Sequence, residues 1–132
     1  MTLSPIVSEA TAYVFDLLQF CADYPYHNPD HTKGVYERST YLALAEGVTD
    51  EDFEDLQLAA LFHDTGFTVQ YGKNEHHGAK IARKWLMKQN HPRDRIEKIE
   101  NIIMATVLFS HPNTLLEEII QDADLDNIGT KQ

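Results

Sequence analysis

The sequence predicts an all-α protein built as a bundle of about six helices in a single domain, residues 1–132. Apolar residues recur at intervals of three and four through six successive segments, and no segment alternates as a half-buried strand does. Serine, threonine, asparagine and proline residues stand where several of these segments begin, as helix starts favour. A length of 132 residues suffices for one hydrophobic core without disulfide or metal staples.

The first helix is predicted to begin at Ser4-Pro5, with Ser4 as its N-cap, and to end before Pro25. The second is predicted to begin with Asn28 as cap and to continue to Gly47. The expected buried stripes of these two helices are Ile6, Ala10, Tyr13, Leu17 and Cys21 in the first, and His31, Val35, Ser39, Leu42 and Ala43 in the second.

A third helix is predicted to begin with Thr49 as its N-cap and to run through the apolar residues 58–62 into His63-Asp64. The helix dipole favours acids in a first turn, so the acid cluster at this helix start is interpreted as solvated and not as a metal site. The cluster consists of Asp50, Glu51, Asp52, Glu54 and Asp55. Gly66 is expected to let the chain leave the helix through a backbone conformation that other residues avoid.

The pair His63-Asp64 follows a buried apolar run, where two polar side chains are costly unless something pairs with both. A metal ion would accept an imidazole nitrogen and a carboxylate oxygen from these adjacent positions. The alternative is a helix C-terminus in which His63 caps backbone carbonyls and Asp64 begins a turn.

Three further helices are predicted to begin near Lys73, at Pro92, and at Asn113 or Thr114. Their expected apolar stripes are Ala79, Ala82, Trp85 and Leu86; then Ile96, Ile99, Ile103, Thr106 and Val107; and finally Leu116, Ile119, Ile120 and Ala123. The last stripe leads directly to Asp124.

The amino-acid composition leads to expectations about cellular location and binding partners. No apolar run approaches the roughly 20 residues of a membrane span. With 11 basic and 21 acidic residues the formal charge is −10, which disfavours phosphate backbones, so we expect no nucleic-acid partner and no membrane partner. The N-terminus lacks a signal-peptide pattern and the single cysteine cannot form an internal disulfide, which predicts a cytoplasmic protein.

Three separate helices thus place metal-ligand side chains beside their buried faces: His31, the pair His63-Asp64, and Asp124. This order on a helical scaffold resembles the HD superfamily of metal-dependent phosphohydrolases. The resemblance is carried by five short segments in the expected order: NPDHTKGV (28–35), LFHDTG (61–66), NEHHGA (74–79), IMAT (103–106) and DADLDNIG (122–129).

The resemblance implies one divalent metal ion on His31, His63, Asp64 and Asp124. Two imidazoles and two carboxylates suit Mn, Fe, Ni, Co or Zn, and Mg when oxygen ligands dominate. It also implies hydrolysis of a small phosphorylated molecule, a phosphomonoester or phosphodiester such as a nucleotide, by a metal-activated water. Asp64 is therefore expected to be both a ligand and a catalytic residue.

The sequence departs from better-characterised branches of this family. Dinuclear members use two further histidines, and the second of these positions falls near Thr106, which favours a mononuclear site. Other branches carry an acid in the turn after the His-Asp pair, where this chain has residues 65–67, Thr-Gly-Phe. We therefore expect Glu75 to be the catalytic acid or base. The expected substrate-binding residues are Lys73, His76 and His77.

Two other functions stay open at this stage: a regulatory domain that binds metal and nucleotide without turnover, and an iron-dependent oxygenase, which would need the dinuclear set. Related proteins usually continue for several helices past the position of Asp124, whereas this sequence stops at Gln132. The alternatives are a minimal domain that lacks those helices, a homo-oligomer in which another subunit completes the pocket, or a longer natural chain.

Overall fold

The computed structural model describes residues 4–19, 29–68, 75–107 and 110–128, and these residues contain six α-helices and no β-strand. The α-helices are α1 (Pro5–Leu18), α2 (Pro29–Glu46), α3 (Asp50–Phe62), α4 (Glu75–Lys88), α5 (Arg93–Met104) and α6 (Leu115–Ile128). A short 3₁₀ helix, Thr65–Thr68, lies between α3 and α4. The predicted all-α bundle of six helices is confirmed.

Helix α3 lies at the centre of the bundle. Every residue from Leu56 to Phe62 is buried, and α3 packs against each of the other five α-helices. A helix covered on all sides has no polar face, which explains its continuous apolar run. Around it, α2 pairs with α6 and α4 pairs with α5. No helix in the described part of the chain is both long and apolar enough to cross a membrane.

Hydroxyl side chains cap three of the helices, because the first backbone N–H groups of a helix have no partner within it. Ser4 accepts from the N–H of Val7 at 3.4 Å, and Thr49 accepts from Asp52 at 3.1 Å. For α6 the structure selects Thr114, whose hydroxyl accepts from the N–H of Glu117 at 3.2 Å. Helix α2 is followed by Gly47, with a φ of 67°.

The predicted stripe of α1 is confirmed at Ala10 and wrong at Tyr13, while Ile6 and Leu17 are half-buried. The fully buried face is Val7, Ala10, Val14 and Leu18. Tyr13 is instead 38% exposed at the edge of the bundle and stacks on Trp85, with ring centroids 5.7 Å apart. The predictions for Cys21, for Pro25 and for Asn28 as the cap of the second helix fall outside the described residues.

Helix α5 is shorter than predicted and ends at Met104. Thr106 and Val107 lie in the turn that follows, where the Thr106 hydroxyl donates to the Ile103 carbonyl at 2.7 Å. The buried face of α5 gains Ile102 instead.

Two expectations about α3 are also wrong. Asp55, predicted to be solvated, is fully buried and receives Arg95 Nη2 at 2.8 Å and Lys98 Nζ at 3.0 Å, because it faces α5. Gly66 does not adopt a positive φ: among the described glycines only Gly47 does. Gly66 is instead a buried residue of the 3₁₀ helix, where the chain turns without the left-handed conformation.

Candidate metal centre

Three helices bring two histidines and two aspartates together. His31 lies in the first turn of α2, His63 and Asp64 follow the last residue of α3, and Asp124 lies in the second half of α6. His31 Nε2 donates to Asp124 Oδ1 at 2.9 Å and lies 3.6 Å from Asp64 Oδ2. His63 Nε2 lies 3.5 Å from Asp64 Oδ2 and 3.6 Å from Asp124 Oδ1.

The spacing of these atoms fits a single ion. Ligand atoms about 2.1 Å from a transition metal lie roughly 3 to 3.5 Å from one another. The four nitrogen–oxygen distances, from 2.9 to 3.6 Å, fall close to this range. One ligand atom each from His31, His63 and Asp124 lies within 4.8 Å of the other two. Asp64 is not part of this mutually close set, although its Oδ2 lies within 3.6 Å of both imidazoles. The site is buried around the histidines, each 1% exposed, and most open at Asp124, whose side chain is 18% exposed.

The orientation of His63 gives the sharpest test of this fit. Its Nδ1 lies 2.7 Å from the Ala60 carbonyl oxygen, which can only accept, so Nδ1 carries a proton. Its Nε2 is buried, and its nearest polar neighbours are Asp64 Oδ2 at 3.5 Å and Asp124 Oδ1 at 3.6 Å. In the neutral ring this second nitrogen is a lone pair aimed at two carboxylates, and a cation between them would satisfy all three groups. His63 therefore does cap a helix carbonyl. The same hydrogen bond orients the ring so that Nε2 faces the other residues of the cluster, which are His31, Asp64 and Asp124.

Electrostatics in the metal-free protein show how strongly the cluster attracts positive charge. Burial lowers the pKa of His63, but the negative charges of Asp64 and Asp124 outweigh burial and raise the pKa to about 9. Burial likewise works against ionised Asp124, but the hydrogen bond from His31 and the charges of the two imidazoles hold its pKa well below the usual range. A proton and a divalent ion would therefore compete for the same place.

The turn that carries Asp64 is held by side-chain hydrogen bonds. The buried Thr65 hydroxyl donates to the Phe62 carbonyl at 2.8 Å, and the Thr68 hydroxyl donates to the Thr65 carbonyl at 2.7 Å. Sequence reasoning noted only that Thr65 is not an acid and missed this positioning role. A threonine three residues after a helix-terminal residue is the signal that could have indicated it.

The remaining predicted site residues belong to α4 or precede it. Glu75 begins α4, His77 is half-buried, and His76 is exposed in a groove of about 380 Å³ that extends to Met104 of α5. No hydrogen bond or ion pair joins Glu75 or His76 to the four clustered residues in the described part of the chain. Lys73 lies outside the described residues. The roles of these four residues stay predictions.

A solved structure of a predicted HD superfamily hydrolase from an uncultured Thermotogales bacterium has a similar fold, with a TM-score of 0.78 and 23% sequence identity. The similarity covers 92% of this chain and 67% of that chain. No curated protein matches. Among protein families, the HD domain matches residues 30–126, which include all four clustered residues and most of the chain. The chain therefore belongs to the HD domain family.

Proposed function

We propose that this protein is a metal-dependent phosphohydrolase that acts on a small phosphomonoester or phosphodiester, such as a nucleotide. The observation that supports it most is the convergence of His63 Nε2 with the carboxylates of Asp64 and Asp124, which lie 3.5 and 3.6 Å away in a buried site. In the metal-free protein a proton on His63 offsets these carboxylates, and a divalent ion would replace that proton and offset both charges. Mn, Fe, Co, Ni, Zn and Mg are the candidates, with His31 as the fourth ligand.

Each residue of the proposed site has a separate chemical role. The Ala60 carbonyl holds His63 in one tautomer, so Nε2 is available as a ligand. Asp64 and Asp124 supply negative charge from two different elements, and Asp124 forms the open side where a substrate can enter. A bound divalent ion would supply a water of lowered pKa and charge stabilisation for a phosphoryl group. It would also offset the acidic field of a chain with net charge −10, which otherwise repels anions.

A second function has one observation in its favour. The 3₁₀ turn after Asp64 contains no carboxylate, and its Thr65 hydroxyl is already bonded to Phe62. A domain that binds metal and nucleotide for regulation, without turnover, needs no acid or base there. We propose Glu75, at the start of α4, as the catalytic acid or base. The hydrolase requires this role, whereas the regulatory domain does not, so Glu75 distinguishes the two functions.

A panel of phosphate esters tests the proposed function. The protein is stripped of metal and loaded with Mn²⁺, Co²⁺, Ni²⁺ or Mg²⁺. It is then assayed for phosphate release from nucleoside monophosphates and sugar phosphates, and for ring opening of cyclic nucleotides to nucleoside monophosphates. Metal-dependent hydrolysis of at least one ester class supports the hydrolase. Saturable nucleotide binding without hydrolysis, across all metals, would support the regulatory function instead.

Glu75→Gln tests the proposed acid–base role. We expect normal metal content and a turnover number lower by about 10² to 10⁴, because general acid–base groups contribute on that scale. Glu118→Gln, at an exposed position in the first turn of α6 and outside the groove that contains His76, is the matched control and should keep full activity. Unchanged turnover in Glu75→Gln would remove this residue from the mechanism without affecting the assignment of the metal ligands.

A further inference from the structure

Gly78 lies in the first turn of α4, directly against the end of α3. A β-carbon placed on Gly78 would lie 3.1 Å from the carbonyl oxygen of Phe62 and 3.1 Å from that of His63, with the Gly66 backbone nitrogen at 3.6 Å. The first two distances are shorter than ordinary van der Waals contact, which begins near 3.4 Å. The three nearest atoms that such a methyl group meets are therefore backbone atoms of the turn that carries two of the proposed metal ligands.

These backbone atoms have little room to move. The Phe62 carbonyl accepts the hydrogen bond from Thr65, and the His63 ring is tied to the Ala60 carbonyl. Phe62 itself is fully buried against Tyr13 and Trp85, with ring centroids 6.2 and 5.7 Å away. A few tenths of an ångström of displacement would consequently strain this turn and tilt the His63 ring.

The other side of the contact is equally constrained. Helix α4 buries Ala82, Trp85 and Leu86 in the core, so it cannot withdraw from α3 without opening packed apolar contacts. Glycine inside a helix is disfavoured relative to alanine, and Gly78 has no positive φ that would explain it. The close approach to the ligand-bearing turn explains why glycine stands here.

We infer that Gly78 is a positioning residue for the metal centre: its lack of a side chain allows α4 to hold the His63-Asp64 turn at the spacing that an ion needs. This inference rests on the proposed metal site but does not depend on which substrate is hydrolysed. Metal bonds tolerate only about 0.2 Å of error, so a small shift of the turn has a large effect on affinity.

The experiment compares two alanine substitutions by calorimetric titration of the metal-free protein with Mn²⁺. Gly78→Ala should weaken Mn²⁺ binding by about 10- to 100-fold, the range seen when a partner that orients a ligand is lost. Gly47→Ala is the matched control: φ there is 67° and nothing lies within 4 Å of the added carbon, so it should lower the melting temperature and leave Mn²⁺ affinity unchanged.

A second readout does not require metal. In the metal-free Gly78→Ala protein the backbone amide chemical shifts of residues 63–66 should change, while in Gly47→Ala they should stay as in the wild type. Equal Mn²⁺ affinity in Gly78→Ala and wild type would overturn the inference and leave the proposed function intact. Loss of folding in Gly78→Ala would also overturn it, since the contact would then serve the fold. Absence of Mn²⁺ binding by the wild type would overturn both, and is seen before any variant is made.

Discussion

The two ends of α3 both bury a carboxylate, and they satisfy it in opposite ways. Towards the start of the helix, in its second turn, Asp55 is fully buried and paired with Arg95 and Lys98 from α5. At the other end, Asp64 is almost as deeply buried, and the imidazoles of His31 and His63 lie 3.6 and 3.5 Å from its Oδ2.

The difference lies in the kind of positive charge that each end provides. Arginine and lysine carry a permanent charge on a side chain, so the ion pairs of Asp55 are complete within the protein. Histidine is charged only when protonated, and its neutral form offers a lone pair instead. The first arrangement fastens one helix to another, and the second leaves room for a cation that comes from outside.

Substitutions at the two ends should therefore have opposite consequences, and this is the largest effect we expect. Arg95→Met leaves the buried Asp55 with Lys98 alone, and the loss of one donor to a buried charged acceptor costs about 3 kcal/mol of unfolding free energy. Metal affinity should not change. Asp64→Ala should instead lower metal affinity by more than about 100-fold, the upper range for loss of a residue that only orients a ligand. The helical circular dichroism should be retained.

Urea denaturation and metal analysis of both variants test this contrast. Normal metal content in Asp64→Ala would show that Asp64 is no ligand. Loss of metal in a folded Arg95→Met protein would show that the two ends of α3 are coupled, and the contrast between them would fail.

The sequence predicts features that neighbouring residues determine, and it fails where contacts between residues distant along the chain decide. Helix starts such as Thr49 follow from neighbouring residues, and the four clustered residues followed from the order of a family pattern. The burial of Asp55 did not, because Arg95 lies 40 residues further along the chain. The face of α1 was also undecided locally: Tyr13 and Val14 are both apolar, and only packing against Trp85 places Tyr13 at the edge.

The free energy of unfolding of the metal-free protein should fall as the pH rises. This pH dependence should come from His63 at the C-terminal end of α3. The folded-state pKa of about 9 exceeds the ordinary value of 6.5, so the protonated imidazole stabilises the fold. This contribution is fully present below pH 6.5 and is lost as the pH rises through about 9. It amounts to about 3 kcal/mol at most.

Chemical denaturation in the presence of a chelator, from pH 6 to 10, measures this loss, and His63→Gln should lack it. Mn²⁺ affinity should change in the opposite direction and increase over the same range, because binding requires the neutral ring. A metal-free stability that stays constant from pH 6.5 to 9 would contradict the charge state that we assign to His63.

The smallest expected effect concerns the Thr49 cap at the start of α3. Thr49→Ala removes the 3.1 Å hydrogen bond to the N–H of Asp52 and should cost about 1 kcal/mol of unfolding free energy. Ser4→Ala is the matched control at α1, where the corresponding distance is 3.4 Å and the expected loss is smaller. Because the cap acts within one turn, neither variant should alter Mn²⁺ affinity. A weaker affinity in Thr49→Ala alone would mean that the position of the whole helix, and not only the turn at its far end, sets the spacing of the metal ligands.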